Sequence, residues 1–112
     1  MRGAFYFVIQ ISSMKSPKIL FIGATHGNEP IGVRTLCALS AMVPNLSWII
    51  GNPPAYKQNT RMFEGDLNRS APGRLDASNY ASRRAAEILE IADTYDWVID
   101  LHGSTAYCGI FI

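Results

Sequence analysis

At 112 residues, 48% hydrophobic and 17% charged, the chain has the length and composition of one small globular domain. That apolar content excludes a disordered tail, and nine Gly with six Pro exclude a collagen-like or low-complexity chain. A net charge of +1, with ten Lys and Arg spread along the chain, makes no electrostatic case for a nucleic-acid partner.

Arg2 and the apolar run Ala4–Ile9 loosely imitate a signal peptide. The run is short, lacks a small-residue cleavage signal and is followed by Ser12-Ser13-Met14-Lys15. It is also too short to span a bilayer. Residues 1–13 read better as an edge strand, or as an extension ahead of a natural start at Met14, leaving 14–112 as the domain proper. Lys18–Ile22, stopped by Gly23, predicts a buried strand. After the loop Ala24–Glu29, Pro30 suits a first helical position, and Val33, Leu36, Cys37 and Ser40/Ala41 keep helical spacing over Ile31–Met42. Pro44 ends that helix.

Leu46–Ile50 predicts a second strand, closed by Gly51-Asn52-Pro53-Pro54. Ala55–Gly73 is polar without a period, and a loop of that length inside a small domain is usually functional. Asp76 or Ser78 is placed to cap a helix running to Ala92, with Ala81, Ala85, Ile88 and Ala92 on one face and Arg83–Glu87 as an exposed pair. Trp97–Leu101 predicts a third strand and Tyr107–Ile112 a fourth, an exposed terminal strand that leaves a homo-oligomer open. Cys37 and Cys108 fit no metal or redox spacing and read as buried free thiols, which suits a reducing cytoplasm. The alternation of strand and helix predicts an α/β domain with a largely parallel sheet, whose sites lie outside the carboxyl ends of the strands. Both histidines of the chain sit at such ends.

His26 and Glu29, three apart on a Gly-containing turn, are both good zinc ligands. Alone, the pair reads equally as a turn histidine beside an acidic residue favoured by the helix dipole. His102, after a second strand and before Gly103, completes a set of two histidines and one glutamate, which leaves a fourth position for water. Asp100 shares the strand face of His102 and suits the role of orienting it through its second nitrogen. In the long loop, Arg61, Asn68 and Arg69 could clamp a carboxylate or polarise a carbonyl. The plainer alternative is a solvated basic loop, Lys57 to Arg74, paired internally with Glu64 and Asp66.

Taken in order, Gly23–Glu29, Asn52-Pro53, Arg61, Asp66-Leu67-Asn68-Arg69 and Asp100–Thr105 resemble the aspartoacylase/succinylglutamate desuccinylase family, from about Lys18 onward. The resemblance implies a zinc carboxypeptidase-like fold, a largely parallel or mixed sheet flanked by helices, here ending before that sheet is complete. It implies one zinc held by His26, Glu29 and His102, and Arg61 facing the scissile carbonyl. Asn68 and Arg69 would bind the substrate carboxylate and Asp66 would brace their loop. The implied reaction is hydrolysis of an N-acyl amino acid carrying a carboxylate. One departure stands against the matches. The family's general base is a glutamate well downstream of the third zinc ligand, whereas ten residues follow His102 and none is a carboxylate. Its loss costs roughly 100- to 10,000-fold in rate. The rival readings are a carboxypeptidase-like metallopeptidase, a non-catalytic zinc-binding product of a truncated gene, and a plain α/β interaction domain.

Overall fold

The computed structural model describes residues 16–103. The expectations for residues 1–13, for Tyr107–Ile112 and for Cys108 lie outside the described residues. The elements run β1 (Ile19–Gly23), α1 (Ile31–Ser40), β2 (Trp48–Ile50), α2 (Pro53–Gln58), a 3-10 turn (Leu67–Arg69), α3 (Tyr80–Ala92) and β3 (Trp97–Leu101). The strands form one parallel sheet in the order β2-β1-β3. Gly23 pairs with Ile50 on one side and with Leu101 on the other, so all three strands reach their carboxyl ends together.

The apolar run of β1 is central and buries Leu20 and Ile22, 1% and 5% exposed. Alternation along the strand sends Phe21 and Gly23 to the opposite face, where α1 packs with Val33 and Leu36 buried. That packing is close: a Cβ on Gly23 would stand 2.9 Å from the Val33 amide nitrogen. On the Ile22 side, α3 buries Ala81 and Ala85, while Ile88 and Ala92 are half-buried. β3, although wholly apolar in its first three residues, is exposed, Trp97 at 64% and Val98 at 44%.

Several local expectations are corrected. Pro30 is the N-cap of α1 rather than its first residue. The helix stops at Ser40 rather than Met42 as its last amides tighten onto carbonyls three residues back, Ala41 to Ala38 and Met42 to Leu39. Met42 and Val43 are exposed, so another turn would bury nothing. Cys37 is exposed, not buried. The buried stripe of α1 runs through Gly32, Val33 and Leu36, and the next residue is rotated about 100° away from Leu36. The segment read as a loop contains α2 and the 3-10 turn. Its two prolines sit at the first positions of α2, where missing N–H groups cost nothing, and the Asn52 side chain accepts from the Ala55 amide at 3.2 Å. Asn79, not Asp76 or Ser78, is the N-cap of α3, because Asp76 is drawn into a pair with Arg74. The Oε1 of Glu64 accepts from the Tyr80 amide at 3.0 Å and supplies the carboxylate that this helix end favours. Arg84, rather than Arg83, pairs with Glu87, at 3.0 Å. Arg83 donates instead to the Ala77 and Ser78 carbonyls.

Candidate metal centre

Because β1 and β3 are neighbours in parallel, the loop leaving Gly23 and the residue leaving Leu101 emerge side by side. Ala24 adopts a left-handed conformation, φ 56°, and the Glu29 amide donates to the His26 carbonyl at 3.1 Å. This tight turn folds the Glu29 carboxylate back onto His26. Its Oε2 lies 2.7 Å from His26 Nδ1, and its Oε1 lies 3.3 Å from His102 Nδ1 and accepts from the Gly103 amide at 2.7 Å. The two imidazoles meet edge to face with centroids 5.3 Å apart.

Each histidine is held from behind by a carboxylate. His26 Nε2 lies 3.1 Å from Asp66 Oδ1 and His102 Nε2 lies 2.9 Å from Asp100 Oδ2. Thr25 Oγ1 donates to the other oxygen of Asp100 at 2.9 Å. Since the aspartates only accept, they favour imidazole hydrogens on Nε2, which would leave both Nδ1 lone pairs for a cation held beside Glu29; with no cation there, each Nδ1 contact to Glu29 needs its hydrogen on Nδ1. Lone pairs and carboxylate oxygens at such short range need a proton or a cation between them. Burial pushes the Glu29 carboxyl up, but the Gly103 amide and the two histidines outweigh it and hold it below the usual carboxylate range. One ligand atom from each of His26, Glu29 and His102 lies within 4.8 Å of the others. The donors are of the type zinc takes, and tetrahedral ligands at zinc distances stand about 3.3 Å apart, the separation of His102 Nδ1 from Glu29 Oε1. His26, 4% exposed, forms the floor of the centre.

Arg61 reaches the centre by way of α2. Gly27 lets α2 lie directly on the His26 turn, for a Cβ at this position would overlap the Ala55 backbone. Left-handed Asn59 ends α2, the Thr60 amide returns to the Ala55 carbonyl at 2.9 Å, and the Gly27 amide donates to the Arg61 carbonyl at 3.3 Å. Arg61 Nη1 then stands 3.9 Å from Glu29 Oε2. Both border a cavity of about 460 Å³ lined also by Asn28, Ile31, Arg34 and Gly103.

Asp66 caps the 3-10 turn, its Oδ1 accepting from the Asn68 amide at 3.0 Å as well as from His26. Asn68 borders a different cavity, with Thr25 and Asp100, and Arg69 is exposed and borders neither. The structure thus draws His26, Glu29, His102, Asp66, Asp100 and Arg61 together and tethers Asn68 through Asp66, while Arg69 is linked to them by its backbone amide, which donates to the Asp66 carbonyl at 3.0 Å. Among the described residues, Lys57, Arg61 and Arg69 pair with neither Glu64 nor Asp66, so the internally paired basic loop does not form. Sequence reasoning missed the Asp66–His26 bond, the Glu64 cap and the place of Arg34. The first two follow from loop geometry without a period, and no motif marks the third.

The catalytic-domain model of succinylglutamate desuccinylases and aspartoacylases matches residues 15–112. The chain belongs to this family. A probable aspartoacylase from Prochlorococcus marinus subsp. pastoris is 34% identical over 110 residues, which cover 88% of this chain and 37% of that protein. The ectoine utilization protein EutE (DoeB) of Ruegeria pomeroyi, in a product-bound structure, superposes with a TM-score of 0.66 at 29% identity, over 76% of this chain and 29% of that one. A succinylglutamate desuccinylase from Silicibacter sp. TM1040 gives 0.64 at 25% identity, over 80% and 30%. This family member therefore has the zinc carboxypeptidase-like fold, with a parallel sheet flanked by helices. It spans about 37% of the length of the curated relative quoted. Among the described residues, no helix of this member is long and apolar enough to cross a membrane.

Proposed function

We propose that the chain binds one zinc ion through His26, Glu29 and His102 and carries the metal centre and part of the substrate pocket of a hydrolase of N-acyl amino acids. The observation that supports this reading is the convergence of two Nδ1 atoms on one ionised carboxylate, each imidazole backed by an aspartate. Zinc would supply Lewis acidity and a water of lowered pKa. The protein's own residues do the rest. Asp66 and Asp100 fix the tautomer and direction of the imidazoles. Arg61, at the cavity wall beside Glu29, meets the amide carbonyl and offsets the negative charge that grows on its oxygen. Asn68 and Arg69 take the carboxylate of the amino acid, Asn68 on the turn that Asp66 caps.

Among the described residues, Glu64 is committed to the amide of Tyr80, and Glu87 and Glu90 lie on α3, so none of these three glutamates is assigned as the general base. Elemental analysis of the purified chain is expected to give about one zinc per molecule, lost in His26→Ala and His102→Ala. Release of free amine from N-acetyl-L-aspartate and N-succinyl-L-glutamate is expected to be zinc-dependent and roughly 100- to 10,000-fold slower than with a full-length relative. A chain that takes up no zinc would overturn the metal assignment, and turnover at the full-length rate would overturn the account of the general base.

A further inference from the structure

We propose that Glu64 is a positioning residue of the metal centre: by docking its loop on the first turn of α3, it aims Asp66 at His26. The inference rests on the metal reading above and concerns a residue to which that reading gives no role. Glu64 is exposed, so packing does not hold it in place. Hydrogen bonds do. Its Oε1 accepts from the Tyr80 amide at 3.0 Å, and its carbonyl accepts from the Ala81 amide at 3.2 Å and from Asn79 Nδ2 at 3.1 Å. Side chain and backbone of one residue thus serve the Tyr80 and Ala81 amides, which open α3 and have no partners inside the helix.

A helix is more directly capped from its own N-cap. Asn79 occupies that position and suits the role, yet its side chain makes no cap bond. It donates to the Glu64 carbonyl instead, and the cap comes from 16 residues away. The backbone is fitted to this arrangement. Glu64 is left-handed at φ 46°, where a residue with a side chain is uncommon. Gly65 follows at φ 107°, so close to α3 that a Cβ on it would stand 2.9 Å from Asn79 Nδ2 and 3.0 Å from Ala81 Cβ. The ring of Phe63 meets that of Tyr80 edge to face, with centroids 5.4 Å apart. Phe63, Glu64 and Gly65 are therefore seated together on Asn79, Tyr80 and Ala81.

Asp66 is the next residue along, and its Oδ1 is the atom that faces His26 Nε2 and the Asn68 amide. Leu67, which is buried, fixes where the 3-10 turn sits. Glu64 fixes the direction from which the chain enters that turn. Released from α3, the chain would reach Asp66 through a glycine joint, and glycine holds no direction by itself.

Zinc affinity of the full chain, measured by competition with a chelating dye, tests this alongside the urea midpoint of the metal-free protein. Glu64→Ala is expected to weaken zinc roughly tenfold, as for loss of a partner behind a ligand histidine. Glu64→Gln should restore most of that affinity, since it keeps an acceptor for the Tyr80 amide. A residue that only caps α3 would lower the urea midpoint and leave the zinc affinity of the folded chain alone. If Glu64 acts through Asp66, Glu64→Ala should cost less than about twofold in an Asp66→Asn background. Wild-type zinc affinity in Glu64→Ala, or an undiminished loss in that background, overturns the inference. Should Glu64→Ala fail to fold, Asn79→Ala decides, because it removes a bond to the same carbonyl without removing a cap bond. A severalfold loss of zinc affinity there supports the inference, and wild-type affinity overturns it. Exchange of the Asn68 amide in metal-free protein keeps the two readings apart, since it reports the same Asp66 oxygen without zinc. A chain that takes up no zinc, but whose Asn68 amide exchanges faster in Glu64→Ala, sinks only the metal reading. A zinc-binding chain indifferent to Glu64→Ala sinks only this one.

Discussion

His26 is gripped from both sides, with Glu29 at Nδ1 and Asp66 at Nε2, and the same Asp66 oxygen also holds the Asn68 amide. One carboxylate therefore sets both the tautomer of a candidate ligand and the turn that carries Asn68. Asp66→Asn keeps an oxygen for the amide but removes the charge that favours an Nε2 hydrogen. Zinc affinity, measured by competition with a chelating dye, is expected to fall roughly 10- to 100-fold, the usual effect of losing such a partner. Unchanged affinity would mean that Asp66 serves only the turn. The three candidate ligands are legible in sequence because two apolar runs end just before them and strand ends are where such sheets gather their sites. The Asp66–His26 contact is not legible. It joins residues 40 apart through a segment with no period, and which way Asp66 points depends on the 3-10 turn it caps.

Among the elements, α2 is the one that sequence patterning overlooks and the site depends upon. Pro53-Pro54 reads as a break, yet prolines are tolerated at the start of a helix and Asn52 supplies the cap. The three β-strands, by contrast, announce themselves as short apolar runs, and only their ends shift by a residue or two. The Arg61 backbone reaches the His26 turn because α2 rests on Gly27. In Gly27→Ala the added methyl meets Ala55 backbone, which cannot rotate away as a side chain could, so α2 must move and carry Arg61 with it. Urea unfolding is expected to show a loss of about 1–3 kcal/mol, as for overpacked interiors. An unchanged midpoint would show that α2 does not rest on this turn.

At the scale of the whole molecule, the candidate ligands come from three separate elements: His26 from the exit of β1, Glu29 from the approach to α1, and His102 from the exit of β3. β3 is the exposed member of this set. Its apolar run fits the doubly covered strand of a parallel sheet, but among the described residues β1 is its one strand neighbour, and Trp97, Val98 and Ile99 are exposed. A metal held by His102 would pin the end of β3 to two elements 70 or more residues earlier in the chain. Binding to the folded chain alone then stabilises the fold as a whole by mass action, about 4 kcal/mol at a free zinc concentration of 1,000 times Kd. For a domain of this size each kcal/mol raises Tm by roughly 4–8 °C, so zinc-loaded and chelator-treated protein are expected to differ by roughly 15–30 °C. Amide exchange along β3 should slow most on loading, since β3 has the least other burial. His102→Ala should fold like the chelator-treated protein and show no response to zinc. Equal unfolding temperatures with and without zinc, or an undiminished response in His102→Ala, would show that β3 is not fastened through this site.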